Sequence, residues 1–391
     1  MMEWDAAAYG EWQRRQQISL LVGVVALGLC AIGAFFNLDQ FFRSYLVAYL
    51  LWLGTALGCL TIAMIQQLTG GTWGVVIRRM LEAGTRTMPL MALLFVPFFW
   101  GTRHLYSWMS PDGTLDAPAL NHPYLNVPFF FLRATFYFVC WLMLVYLLNK
   151  WSGEHDRSGD FHLVRKIRLL SAAGLVLYVI TATFAAVDWV MSLEPHWYST
   201  IYGVLFMGGQ VLSAFAFVIV MSALLARDKP LADIVRPEHF HDLGNLLLAF
   251  VMLWAYFGFS QYLIIWSGNL PAEIPWYVRR LHGGWQWLGI VLIVFHFFVP
   301  FLLLLGRTVK RRVSLLATVA GGILFMRWVD LFWFTAPAFH PEGVFIHWMD
   351  VMAPVGIGGI WLAVYISQLK GRPLLPIHDP YVLGTLHHGR A

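Results

Sequence analysis

The sequence predicts an all-α polytopic membrane protein, and three features carry that prediction. Hydrophobic residues make up 59% of the 391 residues and charged residues only 12%, against about 25% charged in soluble domains. Ten apolar stretches are each close to the roughly 20 residues that a helix needs to cross a hydrocarbon core. The lysines and arginines between those stretches fall on alternate connections.

The stretches lie near 18–36, 43–68, 88–108, 129–148 and 168–190, then near 201–225, 245–266, 286–305, 313–335 and 349–368. Residues 1–17 form a polar N-terminal segment, and the first stretch runs on past 18 residues without a small-residue cleavage site, so it is expected to remain as a helix. Residues 18–370 form the membrane domain and 371–391 a C-terminal tail. Twenty cations occupy one set of connections: Arg14 and Arg15; Arg78, Arg79 and Arg86; Lys150, Arg157, Arg165, Lys166 and Arg168; Arg227, Lys229 and Arg236; Arg307, Lys310, Arg311 and Arg312; Lys370, Arg372 and Arg390. The other set holds Arg43, Arg279 and Arg280. The positive-inside rule then places both termini in the cytoplasm.

Pro97 in the third stretch and Pro300 in the eighth each remove a backbone donor and are expected to kink or loosen their helices. Gly54 and Gly58 form a G-x-x-x-G spacing, which favours close contact between helices. A short echo relates the fifth and ninth stretches. Val187-Asp188 is followed by Pro195 seven residues after the aspartate, and Val329-Asp330 by Pro337 at the same distance. If segments two to five and six to nine are two copies of one four-helix unit, Asp188 and Asp330 are equivalent.

An ionisable side chain in a spanning helix costs roughly 2.5–3.5 kcal/mol on insertion scales, so it is kept where it meets a partner or a water-filled path. Such residues gather at the outer ends of the stretches: Arg103, His104, Arg133, Asp188, Arg327, Asp330 and Asp350. Arg327 and Asp330, three apart, share a helix face and can pair. Asp188 has no cation three or four positions away, so its partner comes from another segment, with Arg133 and Arg103 at matching depth. Thr181 and Tyr178 roughly share the face of Asp188, either as hydroxyls of a water chain or as side chains bonded to backbone carbonyls. His296, near the middle of the eighth stretch, is either a proton-exchanging imidazole or a packing residue. These ten residues are the candidate proton path or gate.

No catalytic residue and no metal site is assigned. Cys30, Cys59 and Cys140 lie singly in apolar runs without a C-x-x-C spacing, which speaks against iron-sulfur ligation, covalent haem and a disulfide framework. His104 and His296 differ in depth and do not make a haem pair. His239, His241, His378, His387 and His388 lack the Cys or carboxylate spacing of a metal site. There is no glycine-rich phosphate loop and no basic domain for nucleic acid. Tryptophans and tyrosines, among them Trp100, Trp108, Trp189, Trp197, Trp266, Trp276 and Trp285, gather at the outer interface as anchors or as packing for a quinone ring.

The segments 41–71, 124–138, 184–203 and 257–287, among them FAAVDWVMSLEPHWYSTIYG and FGFSQYLIIWSGNLPAEIPWYVRRLHGGWQW, resemble the polytopic membrane subunits of Alternative Complex III, in particular ActF, the smaller of the two related ones. The resemblance runs from about residue 20 to 370. It implies a ten-helix chain related to the NrfD/PsrC membrane subunits, with segments two to five (about 43–190) and six to nine (about 201–335) as two four-helix bundles flanked by segments one and ten. It implies a bacterial inner-membrane component of a quinol:electron-acceptor oxidoreductase in respiratory or photosynthetic electron transport. The implied partners are the paralogous membrane protein ActC, the iron-sulfur protein ActB, the c-type cytochromes ActA and ActE, small membrane-anchored subunits and lipids. Menaquinone or ubiquinone would supply electrons, haem c and iron-sulfur clusters would sit on partner subunits only, and a cytochrome c, a copper protein or a terminal oxidase would accept. No quinone ligand is carried over to a residue of this chain. Three roles stay open: proton translocation and energy coupling, direct quinone binding in quinol oxidation, and a scaffold.

Overall fold

The computed structural model describes residues 6–109, 123–227, 231–233 and 235–374. Among them every regular element is helical, and nine helices are long and apolar enough to cross a membrane, as expected of a multi-pass membrane protein. Lys229 and the tail beyond 374, with His378, His387, His388 and Arg390, lie outside the described residues.

The helices are α1 (Ala6–Ala34), α2 (Leu38–Thr69), α3 (Thr72–Thr85), α4 (Met88–Leu94), α5 (Phe98–Leu105), α6 (Val127–Ser158) and α7 (Phe161–Trp189). They continue as α8 (Tyr202–Leu225), α9 (Pro237–Gly268), α10 (Pro275–Arg280), α11 (Trp285–Val291), α12 (Val299–Leu305), α13 (Arg307–Arg311), α14 (Val313–Thr335) and α15 (Trp348–Lys370). The first helix starts at Ala6, ahead of the apolar run that announces it, so most of the segment 1–17 belongs to α1.

The third predicted stretch, 88–108, is not one continuous helix. Pro97 has no N–H to donate and its ring crowds the preceding turn, and the chain makes a turn between α4 and α5. Two tyrosines one turn apart on α2 bond the carbonyls near the break: Tyr49 donates to Met91 O at 3.0 Å and Tyr45 to Leu94 O at 2.7 Å. Pro300 acts differently. Residues Leu292–Phe298 widen into a π-helix just before it, which keeps the eighth stretch continuous through α11 and α12.

The best buried helices, α2 and α8, pack along each other. Their approach is set by glycine. A Cβ on Gly58 would lie 2.2 Å from the Gln210 backbone oxygen, and one on Gly54 3.2 Å from Gln210 Cγ, so the G-x-x-x-G spacing is a helix contact. α1 and α15 meet in the same way, with Gly23 and Gly359 in backbone contact. Lys370 bonds Gln13, which puts the described N- and C-terminal stretches at one end of the bundle.

Glu82 ties that end together. It accepts from Arg79 Nη1 at 2.7 Å, Ser152 Oγ at 2.6 Å, Arg78 Nε at 3.3 Å and Arg86 Nη2 at 3.4 Å, and Arg372 lies 3.9 Å away. Arg79 also reaches Asp156. Burial alone would raise the Glu82 carboxyl; the Arg79, Arg78 and Arg86 charges override it and hold the group well below the usual carboxylate range.

Two predictions test this packing. Gly58→Ala should lower stability by about 1–3 kcal/mol through overpacking against a backbone oxygen, whereas Gly258→Ala, with nothing within 4 Å of its Cβ, should not; melting curves in a mild detergent compare them. Glu82 has a depressed folded-state pKa, so its stabilisation is complete above the unfolded value of about 4.3 and is lost as pH falls through the folded value. Glu82→Gln should therefore lower the melting temperature at neutral pH, with the gap to the parent narrowing below about pH 4.

Candidate functional site

Two buried carboxylates face arginines at the bundle end away from the termini. Asp188, the penultimate residue of α7, has no exposed surface. Arg133 of α6 grips it with both arms, Nε to Oδ2 at 2.9 Å and Nη2 to Oδ1 at 2.8 Å. This two-pronged geometry is the strongest form of the pair. Tyr137, one turn along α6, donates to Oδ2 at 2.8 Å. Arg133 spends its remaining arm on Tyr124 O at 2.8 Å, and its guanidinium lies 3.9 Å from the Tyr124 ring centre and 4.4 Å from that of Phe129. Both carboxylate oxygens have donors, and the cation is covered by aromatic faces.

Asp330 is built from fewer elements. Arg327, one turn earlier on α14, bonds Oδ2, and Trp254 Nε1 of α9 donates to the same oxygen at 3.1 Å. The guanidinium rests where a side chain on Gly209 would sit: a Cβ there would lie 2.1 Å from Arg327 Cζ. The glycine of α8 therefore makes room for the arginine of α14. The two carboxylates are not in matching places. Asp188 lies one residue before the end of α7, and Asp330 five residues before the end of α14, so the seven-residue spacing to proline in sequence does not become equal depth in the helix.

His296 lies in the π-helical turn with no exposed surface, its ring edge-on to Trp254 at 4.3 Å. Among the described residues neither of its nitrogens has a hydrogen-bond partner. His296, Asp330 and Arg327, all buried, thus form one cluster with the partly buried Trp254. Buried polar atoms without partners are uncommon and call for a reason.

The other predicted residues disperse. Tyr178 donates to Gln210 Oε1 at 2.6 Å, across to α8. Thr181 donates to Leu177 O at 2.7 Å and accepts from Trp141 Nε1 at 2.9 Å. Both hydroxyls are engaged with protein groups and not aligned on Asp188 as a chain. Arg103 is exposed and is not the partner of Asp188. His104 Nδ1 lies 2.6 Å from Asp39 on the surface. Asp350 accepts from the His347 backbone N–H at 2.8 Å and from Ser44 Oγ at 2.6 Å; it caps α15 and fastens it to α2.

Sequence reasoning missed Tyr137 and Trp254, the neutral donors on each carboxylate, because aromatic residues in apolar runs read as packing. It also missed Glu194. This residue of the loop after α7 takes Arg279 Nη1 at 2.7 Å and both arms of Arg280 at 3.2 Å. Arg280 lies 3.6 Å over Trp276 and donates to Phe334 O at 2.8 Å, binding the α7 loop to α10 and the end of α14. Two adjacent arginines on the cation-poor side were the available signal.

A crevice lined by Tyr49, Phe95, Phe98, Tyr106, Phe130 and Trp189 lies beside α7, but the rings leave no room in it for a water-sized sphere. No family model and no curated protein matches the chain.

Removing one partner of a buried pair strands the other charge, at a typical cost of about 3–5 kcal/mol. Asp188→Asn and Arg133→Gln should each destabilise by that order, and the double variant by clearly less than the two together. Denaturant melts of the four proteins give the coupling, and full additivity would show that the pair contributes nothing as a unit.

Proposed function

We propose that this chain is a membrane component of a quinol:electron-acceptor oxidoreductase of the Alternative Complex III type, working in proton translocation and energy coupling while partner subunits hold the redox centres. In this reading the chain has ten spans, with α4 and α5 together making the third. Segments two to five and six to nine form the two bundles, both termini are cytoplasmic, and the membrane is a bacterial inner membrane. ActC, ActB and the cytochromes ActA and ActE are its proposed neighbours.

The observation that carries the coupling role is the pair of buried carboxylates, Asp188 and Asp330, each held by an arginine within an apolar stretch of the chain. Such groups are expensive in a membrane and mark ion or proton pathways by default. Each pair also contains a neutral donor, Tyr137 or Trp254. His296, without a hydrogen-bond partner among the described residues, extends the second cluster by one imidazole able to take or give a proton.

The scaffold role is the second reading, and the saturation of Asp188 favours it: three side-chain hydrogen bonds from two residues fix the carboxylate as a purely structural pair would. The two readings part in one experiment. Asp188→Asn and Asp330→Asn are made in the assembled complex, reconstituted in liposomes, and protons released per electron are measured with quinol oxidation. Coupling predicts a lower ratio in a complex that still assembles and oxidises quinol. An unchanged ratio sinks it, and loss of assembly supports the scaffold.

A further inference from the structure

We infer that the termini-bearing end of the bundle holds an anionic phospholipid headgroup between α9 and α13. The short helix α13 and the residue after it carry Arg307, Lys310, Arg311 and Arg312 within six positions. Arg307, Arg311 and Arg312 are exposed. Among the described residues none of the four is in ion-pair contact with a carboxylate. The contrast with the arginines around Glu82 at the same end is physical: there Glu82 and Asp156 pair with the arginines, and here no such pair forms among the described residues, with Glu238 and Asp242 of α9 outside ion-pair contact with the four.

Lys310 shows that this is a shaped place and not only a charged loop. It is 6% exposed, and its stem lies on Gly244, where a Cβ would come within 2.7 Å of Lys310 Cγ. Its ammonium donates to Asn245 Oδ1 at 2.7 Å, a neutral acceptor that leaves the positive charge uncompensated. One turn earlier on α9, the buried Nδ1 of His241 has no hydrogen-bond partner among the described residues. A cation is thus held against a glycine and an amide at one interhelix position, with the His241 nitrogen one helical turn away on α9. A phosphodiester, with its charge and several acceptor oxygens, matches that set.

The adjoining surface selects a lipid as its source. Immediately before α13 the chain exposes Leu302, Leu303 and Leu305, and after it Leu315, so acyl chains can lie along α12 and α14 while the headgroup meets α13. Basic pockets between helices at a membrane surface take anionic headgroups in this manner, with about fivefold in affinity for each cation.

The test reconstitutes the full-length chain in phosphatidylcholine vesicles and measures the motion-restricted fraction of spin-labelled phosphatidylglycerol against spin-labelled phosphatidylcholine. The parent should prefer phosphatidylglycerol. Lys310→Met and the triple Arg307→Gln/Arg311→Gln/Arg312→Gln should lower that preference, by about fivefold for each cation removed. The triple variant leaves Lys310 on Gly244, so it stays informative if Lys310→Met fails to fold. The equally exposed Arg165, Lys166 and Arg168 at the start of α7 serve as control, and their replacement by glutamine should leave the preference unchanged. No preference in the parent, or an equal loss in the control, overturns the proposal. Displacement of the lipid by inorganic phosphate at matched ionic strength would also overturn it, because the site would then serve a soluble anion.

Discussion

The close approach between α2 and α8 fixes where everything else goes. Gly58 lets the backbone of α2 touch that of Gln210, and the same stretch of α8 then serves both sides of the protein. Gln210 takes the Tyr178 hydroxyl of α7, Gly209 makes room for Arg327 of α14, and Gly208 packs closely against Phe257 of α9. In a membrane, helices gain no hydrophobic drive from meeting one another, so small residues that allow close packing decide which faces meet. Three adjacent positions on one helix therefore set the places of one carboxylate's helix and the other carboxylate's arginine.

Much of this architecture was legible in the sequence. Apolar length alone placed α2, α6, α7, α8, α9, α14 and α15, because a spanning helix has to be long and continuously apolar. The glycine pair at 54 and 58 announced its contact for the same physical reason. The broken third stretch was legible only as Pro97. What sequence does not show is that Tyr45 and Tyr49 bond carbonyls beside the break and so make a break tolerable at that depth. Pro300 announced a loosened helix, but not that the loosening would take the form of the π-helical turn Leu292–Phe298.

The site was half legible. Charge is rare in such a chain, so Asp188, Arg133, Arg327 and Asp330 stand out, and three-residue spacing paired the last two correctly. The link between Arg133 and Asp188 spans 55 residues and needs the fold. Thr181 and Tyr178 mislead by helical spacing: a common face at seven and ten positions puts them on the same side as Asp188, yet Trp141 and Gln210 reach their hydroxyls first. Helical periodicity gives direction but not competition among partners. Asp350 looked like a third intramembrane carboxylate and is a helix cap, because its place in the first turn of α15 supplies backbone donors that a mid-helix carboxylate would lack.

The two carboxylate sites differ in what can open them. Arg327 and Asp330 lie three apart on α14, so a rigid shift or tilt of that helix carries both and leaves their bond intact. Arg133 and Asp188 sit on α6 and α7, so any sliding of one helix along the other works directly against a two-pronged bond. The elements around that bond are unequal in stiffness. α6 is continuous past Arg133 and α7 ends one residue after Asp188, whereas the turn at Pro97 puts a joint beside them, with Phe95 packed on Trp189 at 5.2 Å and on Phe138 at 5.2 Å. Movement at the joint therefore reaches the residue next to Asp188 through one ring contact, and reaches α6, one helical turn beyond Arg133, through another. By that geometry the first half holds the pair that responds to helix movement. The second half holds a pair whose outside contacts are Trp254 of α9 and the Gly209 and Phe206 face of α8.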